Sequence, residues 1–548
     1  MSSVPRGVLR LASILPAATI LANSVAADVV AVAGRDPIGI WSVAPVGPIG
    51  GTWVDIELAS TTLFLVGLAL LRSKRIGYWL ALGALLAGAV QQAIAGHPIA
   101  VLFAAIASAT LAFTRARYTV RAGAVPVVVA MLGAGTAAAA VAWVAAGPAI
   151  GSAGASPWSA GLFLIARGAF LGAAVAGLAP GVETRAGEAI AAAGVALRSR
   201  GRGSLYPYLL EAPVVPFATG DGSGVLGYAR AGRTAIALGD PAGAPASADQ
   251  TLIEWVRHCR RLDWIPAVYQ ASDELARVLR SRGWFTCRIG GEAIVDPLAF
   301  DLGSSRLANV RHTVTRSRKA GLGTACWRPG VDPDPPGPSL DALANLDSEW
   351  RRTAGLALGF TVGRFDQARL EGSLLAAAVD QAGTPAAFVL LRPTGADGGW
   401  MLDLIRRDRG SAPGAVEACL VAAVEALAVE GVRSVSLGLV PLGGPSTATD
   451  ATAERLLATA ARIIRPAYDV RGLTFFKDKF APAWVPRYLA VPTWWDVPFA
   501  LIALLRLHLG LGWPRVVQWL TRSGQQRRRI PRLSEIGDRG AHGERPAG

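Results

Sequence analysis

Apolar runs of 18–24 residues fall at residues 11–33, 54–71, 76–95, 97–114, 124–147 and 158–179. Each is long enough to cross a bilayer as a helix. Basic Arg6 and Arg10 and the small residues that follow give the first run the look of a signal peptide. Five further runs favour an uncleaved anchor. Past residue 204 shorter patterns take over. VLGYAR and TAIALG predict a hairpin around Ala231-Gly232. Helical and strand periods then alternate: DQTLIEWVRHCRRL as helix, WIPAVYQ as strand, SDELARVLRSRG as helix and WFTCRIG as strand. Residues 328–338, RPGVDPDPPGP, exclude regular structure. A second alternation follows: SLDALANLDSEWRRTA as helix with Ser339 as N-cap, AAFVLLR and WMLDLIR as strands, GAVEACLVAAVEALAVEG as helix and VRSVSLGLV as strand. Two units of similar size suggest a duplicated fold rather than one large sheet.

Charge sharpens the division. Residues 1–180 contain 14 charged side chains and residues 181–548 contain 79, in a chain of net charge +15. Eight basic residues (Arg6, Arg10, Arg72, Lys74, Arg75, Arg115, Arg117 and Arg121) lie in loops on one side of the apolar runs, and only Arg35 on the other. The positive-inside rule then places the N-terminus and everything after residue 180 in the cytoplasm. The expected location is the cell membrane, multi-pass, with a cytoplasmic globular part. Arg167 lies inside the sixth run, where a charge either meets a lipid phosphate or snorkels.

Cys259, Cys287, Cys326 and Cys419 are widely spaced, and the five histidines never fall at metal-ligand spacing, so no metal site is expected. The chain has 50 Arg and only 4 Lys, and none of the lysines supplies a Walker loop. Gly222, Gly224 and Gly227 match a dinucleotide-binding spacing but precede a strand instead of a helix, which removes that reading. RLANVRHTVTRSRKAG contains Arg306, Arg311, Arg316, Arg318 and Lys319 with no acid, a helix suited to phosphates. His312 within it is a general-base candidate or a structural histidine. In GLTFFKDKFAPAWVPRYLA, Lys477 and Lys479 stand among aromatics. An extended segment would point both lysines the same way.

These pieces carry a family resemblance. GDPAG, EAIVDPLAFDL followed by NVRHTVTRSRKAG, SEWRRTAGLALGFTVGRF, LDLIR, PGAVEACL, SLGLVPLGG and FFKDKFAPAWVPRYLA occur in order over about residues 205–492. The set resembles the C-terminal domain of aminoacyl-phosphatidylglycerol synthases, the multiple peptide resistance factor family. The resemblance implies two tandem acetyltransferase-like (GNAT) folds joined by a basic helix. The expected fold is an N-terminal α-helical transmembrane bundle of about six spans plus a cytosolic α/β tandem acetyltransferase-like domain. The expected divisions are 1–180 transmembrane, 181–204 basic linker, 205–304 first unit, 305–320 basic helix, 321–492 second unit with the catalytic site, 493–521 interfacial helix and 522–548 basic tail. Glu417 stands where the family usually has Asp, and Ala357 where an acid is expected before GF.

The implied reaction moves an aminoacyl group from aminoacyl-tRNA to a hydroxyl of an anionic membrane lipid. It calls for no cofactor, because the donor ester is already activated. The implied catalytic residues are Asp403, Arg406, Lys477, Lys479 and Glu417. Asp403 would hold the substrate ammonium or orient the hydroxyl, and Arg406 would meet a phosphate or the oxyanion. Glu417 would orient Arg406. Asn309, Arg311, Arg316, Arg318, Lys319 and Arg487 would bind tRNA or other phosphates. Two alternatives stand beside this. One is a membrane-anchored CoA-dependent N-acetyltransferase, whose pyrophosphate loop would be Arg407, Gly410 and Ala412. The other is a six-span lipid-binding or transport protein with a non-catalytic cytosolic domain.

Overall fold

The computed structural model describes residues 6–33, 43–45, 53–120, 131–132, 135, 157–183, 185–243, 247–332, 336–354, 359–444 and 470–510. The chain forms two compact units, Met1–Thr184 with Val256–Trp264, and Arg185–Trp255 with Ile265–Gly548.

In the first unit, helices α1 (Arg6–Ala33), α2 (Trp53–Leu71), α3 (Arg75–Ile94), α4 (Pro98–Phe113) and α5 (Pro157–Gly177) coincide with five of the six apolar runs. The remaining run, 124–147, lies almost wholly outside the described residues. One described helix, Arg75–Ile94, is long and apolar enough to cross a membrane; the other apolar stretches, such as Pro98–Phe113, are shorter. About six spans is therefore more than the described residues supply. Ala17, Ile20, Val66, Ala81, Leu85 and Leu111 pack inside. Ser24 Oγ donates to the Ser60 carbonyl at 2.9 Å, joining α1 to α2, and Gln92 donates to the Ala44 carbonyl at 2.7 Å. Large apolar side chains, among them Trp79, Leu86, Val90, Leu102 and Phe103, face outward.

The second unit contains one twelve-stranded sheet. Its strands are β1 (Val215–Ala218), β2 (Gly224–Ala231), β3 (Thr234–Leu238), β4 (Ala242–Gly243), β5 (Ile265–Ala271), β6 (Phe285–Val295), β7 (Gly323–Trp327), β8 (Leu374–Val379), β9 (Pro385–Pro393), β10 (Trp400–Arg407), β11 (Val435–Pro441) and β12 (Ala483–Val491). Their order is β1-β2-β3-β5-β12-β6-β11-β10-β9-β8-β7, with β4 on β2. The expected separation into two sheets is thus corrected. β6 pairs with β11, and β12 inserts between β5 and β6, so the last strand completes the first half of the sheet. Strand pairing at this sequence distance leaves no mark in local periodicity.

The β2–β3 hairpin turns at Gly232, where φ is +64°. The parallel pairs β3/β5 and β10/β11 need crossovers, supplied by helices α7 (Ser247–Arg261) and α11 (Ala415–Val429). Helices α6 (Gly187–Arg200), α8 (Asp273–Ser281), α9 (Ala308–Lys319), α10 (Leu340–Ala354), α12 (Val470–Asp478) and α13 (Val497–Leu509) complete the unit. The expected linker 181–204 thus contains a helix, α6. Ser272 Oγ caps α8 by accepting from Leu275 N at 3.1 Å, and Ser339 Oγ accepts from Ala342 N at 3.3 Å ahead of α10.

α11 lies on one face of the sheet over Ala376, Val389 and Leu391. α10 lies on the other, where Leu343 and Leu346 meet Leu375, Phe388, Leu390 and Leu404. Each of these buried Val, Leu and Phe side chains contributes roughly 1.5–3 kcal/mol, so β8–β10 are packed from both sides.

Candidate active site

β10 and β11 pair only through Trp400 with Val435 and Met401 with Ser436. Beyond those positions the strands carry on unpaired to each other. A parallel pair that stops bonding midway exposes polar backbone and opens a cleft. Both strands are also irregular there. β10 has a register shift between Leu402 and Leu404, which makes Asp403 the extra residue of a bulge, and β11 has one between Ser436 and Leu439. Bulges re-aim side chains and gather next to active sites.

Asp403 is almost fully buried and accepts a hydrogen bond from the Tyr208 hydroxyl at 2.6 Å. The Arg392 guanidinium lies 3.9 Å away and binds Glu211 at 2.7 Å. Burial raises the Asp403 carboxyl above its ordinary value, while the Tyr208 hydroxyl and Arg392 pull it back. Burial and the Asp403 charge also hold the Tyr208 phenol well above its usual range, so it stays a donor. Gly363 passes directly over the carboxylate: a Cβ there would come within 2.2 Å of Asp403 Oδ1.

Arg406 is buried on the same strand. Its Nε donates to Asp347 Oδ1 at 2.5 Å, its Nη1 donates to the Ile405 carbonyl at 3.0 Å, and its guanidinium lies 4.1 Å over the Trp350 ring. Asp347 is fully buried on α10 and also faces Arg351 at 2.8 Å. Asp347 and Trp350 of α10 thus hold the Arg406 guanidinium from within the fold. Glu417 does not orient it.

Lys477 and Lys479 diverge. The segment expected to be extended is the end of helix α12 and the turn after it. Its aromatics at 476 and 480 meet edge to face on one side, as a helical spacing of four allows. Lys477 is buried and donates to the carbonyls of Gly438 at 2.9 Å and Leu439 at 3.4 Å, on the irregular part of β11. Burial lowers its amine to about 7, with Glu292 acting weakly the other way. Lys479 instead donates to Glu417 at 2.8 Å, with its ammonium 5.3 Å over the Phe475 ring.

Glu292 on β6 was not singled out from the sequence. Its Oε2 accepts from Arg487 Nε at 2.6 Å, and Ser436 Oγ donates to Oε1. Burial works to raise this carboxyl, but Arg487 with the Ser204 and Ser436 hydroxyls overcomes it and holds the group below its usual range. Arg487, expected on a phosphate, is thus an internal partner of Glu292. The available signal was a lone carboxylate within the apolar strand FTCRIGGEAIV. Tyr208 and Asp347 left no comparable signal, since each acts through a partner more than 50 residues away, and Arg392 faces Asp403 from the neighbouring strand β9.

α9 buries Val310, Val314 and Ser317. Gly414, with φ +96°, lets the Thr313 carbonyl abut the start of α11, where a Cβ would come within 2.4 Å. Arg316, Arg318, Lys319 and Asn309 are exposed, as is His312. Arg311 donates to the carbonyls of Leu302 at 2.5 Å and Ser304 at 3.1 Å, tying down the preceding loop instead of facing outward. Arg167 lies on α5 with its side chain outside the described residues, as does Ala357 altogether.

The loop between β10 and α11 is poorly suited to a pyrophosphate. Asp408 Oδ2 already accepts from Gly410 N at 3.1 Å, and Glu417 lies in the first turn of α11. One carboxylate already occupies a backbone N–H of the loop and another stands in the first turn of the helix, where an anion would otherwise be attracted.

The family model described as phosphatidylglycerol lysyltransferase, C-terminal, matches residues 206–491, more than half of the chain and nearly the whole sheet with its cleft. The chain belongs to this family. Among its relatives, the lysylphosphatidylglycerol biosynthesis bifunctional protein LysX of Mycobacterium ulcerans is 30% identical over 292 residues, which cover 50% of this chain and 26% of that protein. The phosphatidylglycerol lysyltransferase of Bacillus subtilis is 28% identical over 280 residues, 50% of this chain and 32% of that enzyme. The match therefore spans about a quarter to a third of these relatives' length. The C-terminal domain of a putative lysylphosphatidylglycerol synthetase from Agrobacterium fabrum is 25% identical with TM-score 0.51, covering 59% of this chain and 98% of that domain. L-PGS from Bacillus licheniformis is 24% identical with TM-score 0.51, covering 60% and 99%. The second unit accordingly has the acetyltransferase-like α/β fold of the lysyltransferase C-terminal domain.

Proposed function

We propose that this protein is a membrane-bound transferase that moves an aminoacyl group from aminoacyl-tRNA to the hydroxyl of a membrane lipid such as phosphatidylglycerol. The observation that carries the reading is the coincidence of the family match with the splayed β10/β11 pair, where Asp403 sits on the bulge of β10 and Lys477 bonds the irregular part of β11. In this scheme Asp403 holds the α-ammonium of the aminoacyl group, and Tyr208 and Arg392 keep its carboxylate aligned. The Lys477 amine, brought near neutrality by burial, takes the proton as the lipid oxygen attacks the ester carbonyl. The carbon–oxygen bond to the tRNA ribose breaks, and the same proton goes to the leaving ribose oxygen. Arg406 acts as a positioning residue. Arg316, Arg318 and Lys319 with nearby Lys479 steer the tRNA, because α9 and Lys479 both adjoin the first turn of α11.

The first unit is the membrane anchor in this reading. About six spans with a cytoplasmic N-terminus fit the outward-facing Trp79, Leu86 and Val90, the inward-facing small and polar residues, and the eight-to-one loop charge. The expected experiment incubates membranes containing the full chain with tRNAs, each charged with one labelled amino acid. Label should enter the lipid extract from at least one charged tRNA. Consumption of acetyl-CoA with no label in lipid would establish the N-acetyltransferase instead.

A further inference from the structure

The last described helix of the second unit carries a surface that neither the cleft nor the core uses. β12 runs into a single turn, Trp494–Asp496, and then α13. One face of α13 is core: Val497, Ala500, Ala503 and Leu504 pack on Ile236, Ala267 and Leu489. The opposite face carries Phe499 and Ile502, continued by Trp495 of the preceding turn, with Trp494 stacked on Trp495 at 3.5 Å between ring centres. These four side chains are 40–66% exposed, an unusual cost for a water-facing surface. Charge frames the stripe. Arg506 follows Ile502 by one turn, and its Nε has no hydrogen-bond partner among the described residues. Arg506 also reaches the tip of the β2–β3 hairpin, because a Cβ on Gly232 would lie 3.3 Å from its Nη1. That tip carries Arg230 and Arg233, with Arg230 Nη1 donating to the Gly232 carbonyl at 3.0 Å. The acid within the patch is already engaged: the Asp496 carboxylate accepts from Thr493 N at 3.1 Å and Oγ1 at 2.8 Å.

We infer that the Trp494–Ile502 face and the Arg230–Arg233 hairpin tip together form a docking surface for an anionic lipid bilayer. Indole rings seat at the headgroup level, aliphatic and phenyl groups enter the acyl boundary, and guanidiniums bind lipid phosphates. A protein partner would be matched by the apolar stripe alone. The three arginines beside it favour a phosphate-bearing surface. The inference rests on the reading of the first unit as membrane-embedded. It has a further consequence, since the docking helix is tied to the loop over the cleft. Half-buried His508 has Nδ1 2.8 Å from the Leu504 carbonyl and so donates there. Its Nε2 then accepts from Thr361 Oγ1 at 2.9 Å, two residues before Gly363.

The test uses the full chain reconstituted in vesicles of phosphatidylglycerol and phosphatidylethanolamine, with a nitroxide at Phe499→Cys. Native Cys259, Cys287 and Cys419 are buried, and unsubstituted chain gives the labelling background. The ratio of oxygen to nickel-chelate accessibility should be about tenfold higher than at Val429→Cys, an exposed control on α11. In phosphatidylcholine vesicles, or with Arg230→Glu and Arg233→Glu, it should fall about twofold or more. A ratio equal to the control would overturn the inference by leaving the face in water. Shielding from both reagents alike would overturn it too, assigning the face to the segment after residue 510 or to a second copy. Trp495→Cys repeats the reading should Phe499→Cys fold poorly. No aminoacyl transfer is needed, so failure here is distinguishable from failure of the proposed reaction.

Discussion

Asp403 is a carboxylate under opposed influences: burial favours its neutral form, while Tyr208 and Arg392 favour its charge. Removing the hydroxyl removes one of the two, so Tyr208→Phe should raise the Asp403 pKa further. The acid limb of the transfer rate should then move to higher pH, with about a three- to tenfold loss at pH 6, read from a rate profile between pH 5 and 8. Gly363→Ala should abolish most transfer, because no Cβ fits at 2.2 Å from the carboxylate oxygen. Lys477 gives a stability signature. Its amine is lowered from 10.5 to about 7 in the folded chain. Between those values the unfolded chain holds a proton that the folded chain lacks, so stability should rise as pH increases from about 7 toward 10.5. Lys477→Met should flatten that rise, measured as denaturation midpoints of the full chain in detergent at pH 7 and 9.5. At this scale the sequence showed which side chains are unusual, Asp403 and the rare lysines, but not their partners. Asp347 and Arg406 are 59 residues apart and Tyr208 and Asp403 are 195 apart. Such pairings are set by the sheet, not by spacing.

Helix α9 presents Arg316, Arg318 and Lys319 to solvent and buries only its valines and Ser317. Reversing those three charges to Glu should therefore leave the fold intact and weaken tRNA binding. The slope of log affinity against log salt should drop by about two to three, near 0.7–0.9 per lost phosphate contact, in filter binding over a salt series. Gly414→Ala attacks the joint between α9 and α11 from both sides, forcing a side chain into positive φ and against the Thr313 carbonyl. A loss of roughly 1–3 kcal/mol is expected, read as a lowered melting temperature. Most elements of the second unit were legible, because amphipathic helices such as α8 and buried strands such as β9 carry strong periodicities. The lysines of FKDKF follow a period of two that an extended segment would share, while its aromatics at 476 and 480 obey the helical period that the structure adopts. β7 and β8 were missed: GTACW is too short, and LLAAAV is too rich in Ala, to stand out from a helix.

The uneven charge of the chain corresponds to two compact units, the first built of apolar helices and the second around a single sheet. That sheet is the feature least visible in advance. Two α/β alternations predicted two folds, and β12 unites them by crossing back into the first half. The cleft depends on this exchange, because β12 supplies Arg487 to Glu292 and the segment before it supplies Lys477. Membrane attachment, a polyanionic donor and a splayed cleft belong to one account, in which an activated ester meets a lipid hydroxyl at the bilayer surface. The most direct test places the purified full chain in phosphatidylglycerol vesicles with tRNA charged with a labelled amino acid, beside Asp403→Asn. The account predicts label in the lipid as an ester, with a loss of about a hundredfold or more in Asp403→Asn and tRNA binding retained. Label that never reaches lipid from any charged tRNA, or equal transfer by Asp403→Asn, would contradict it.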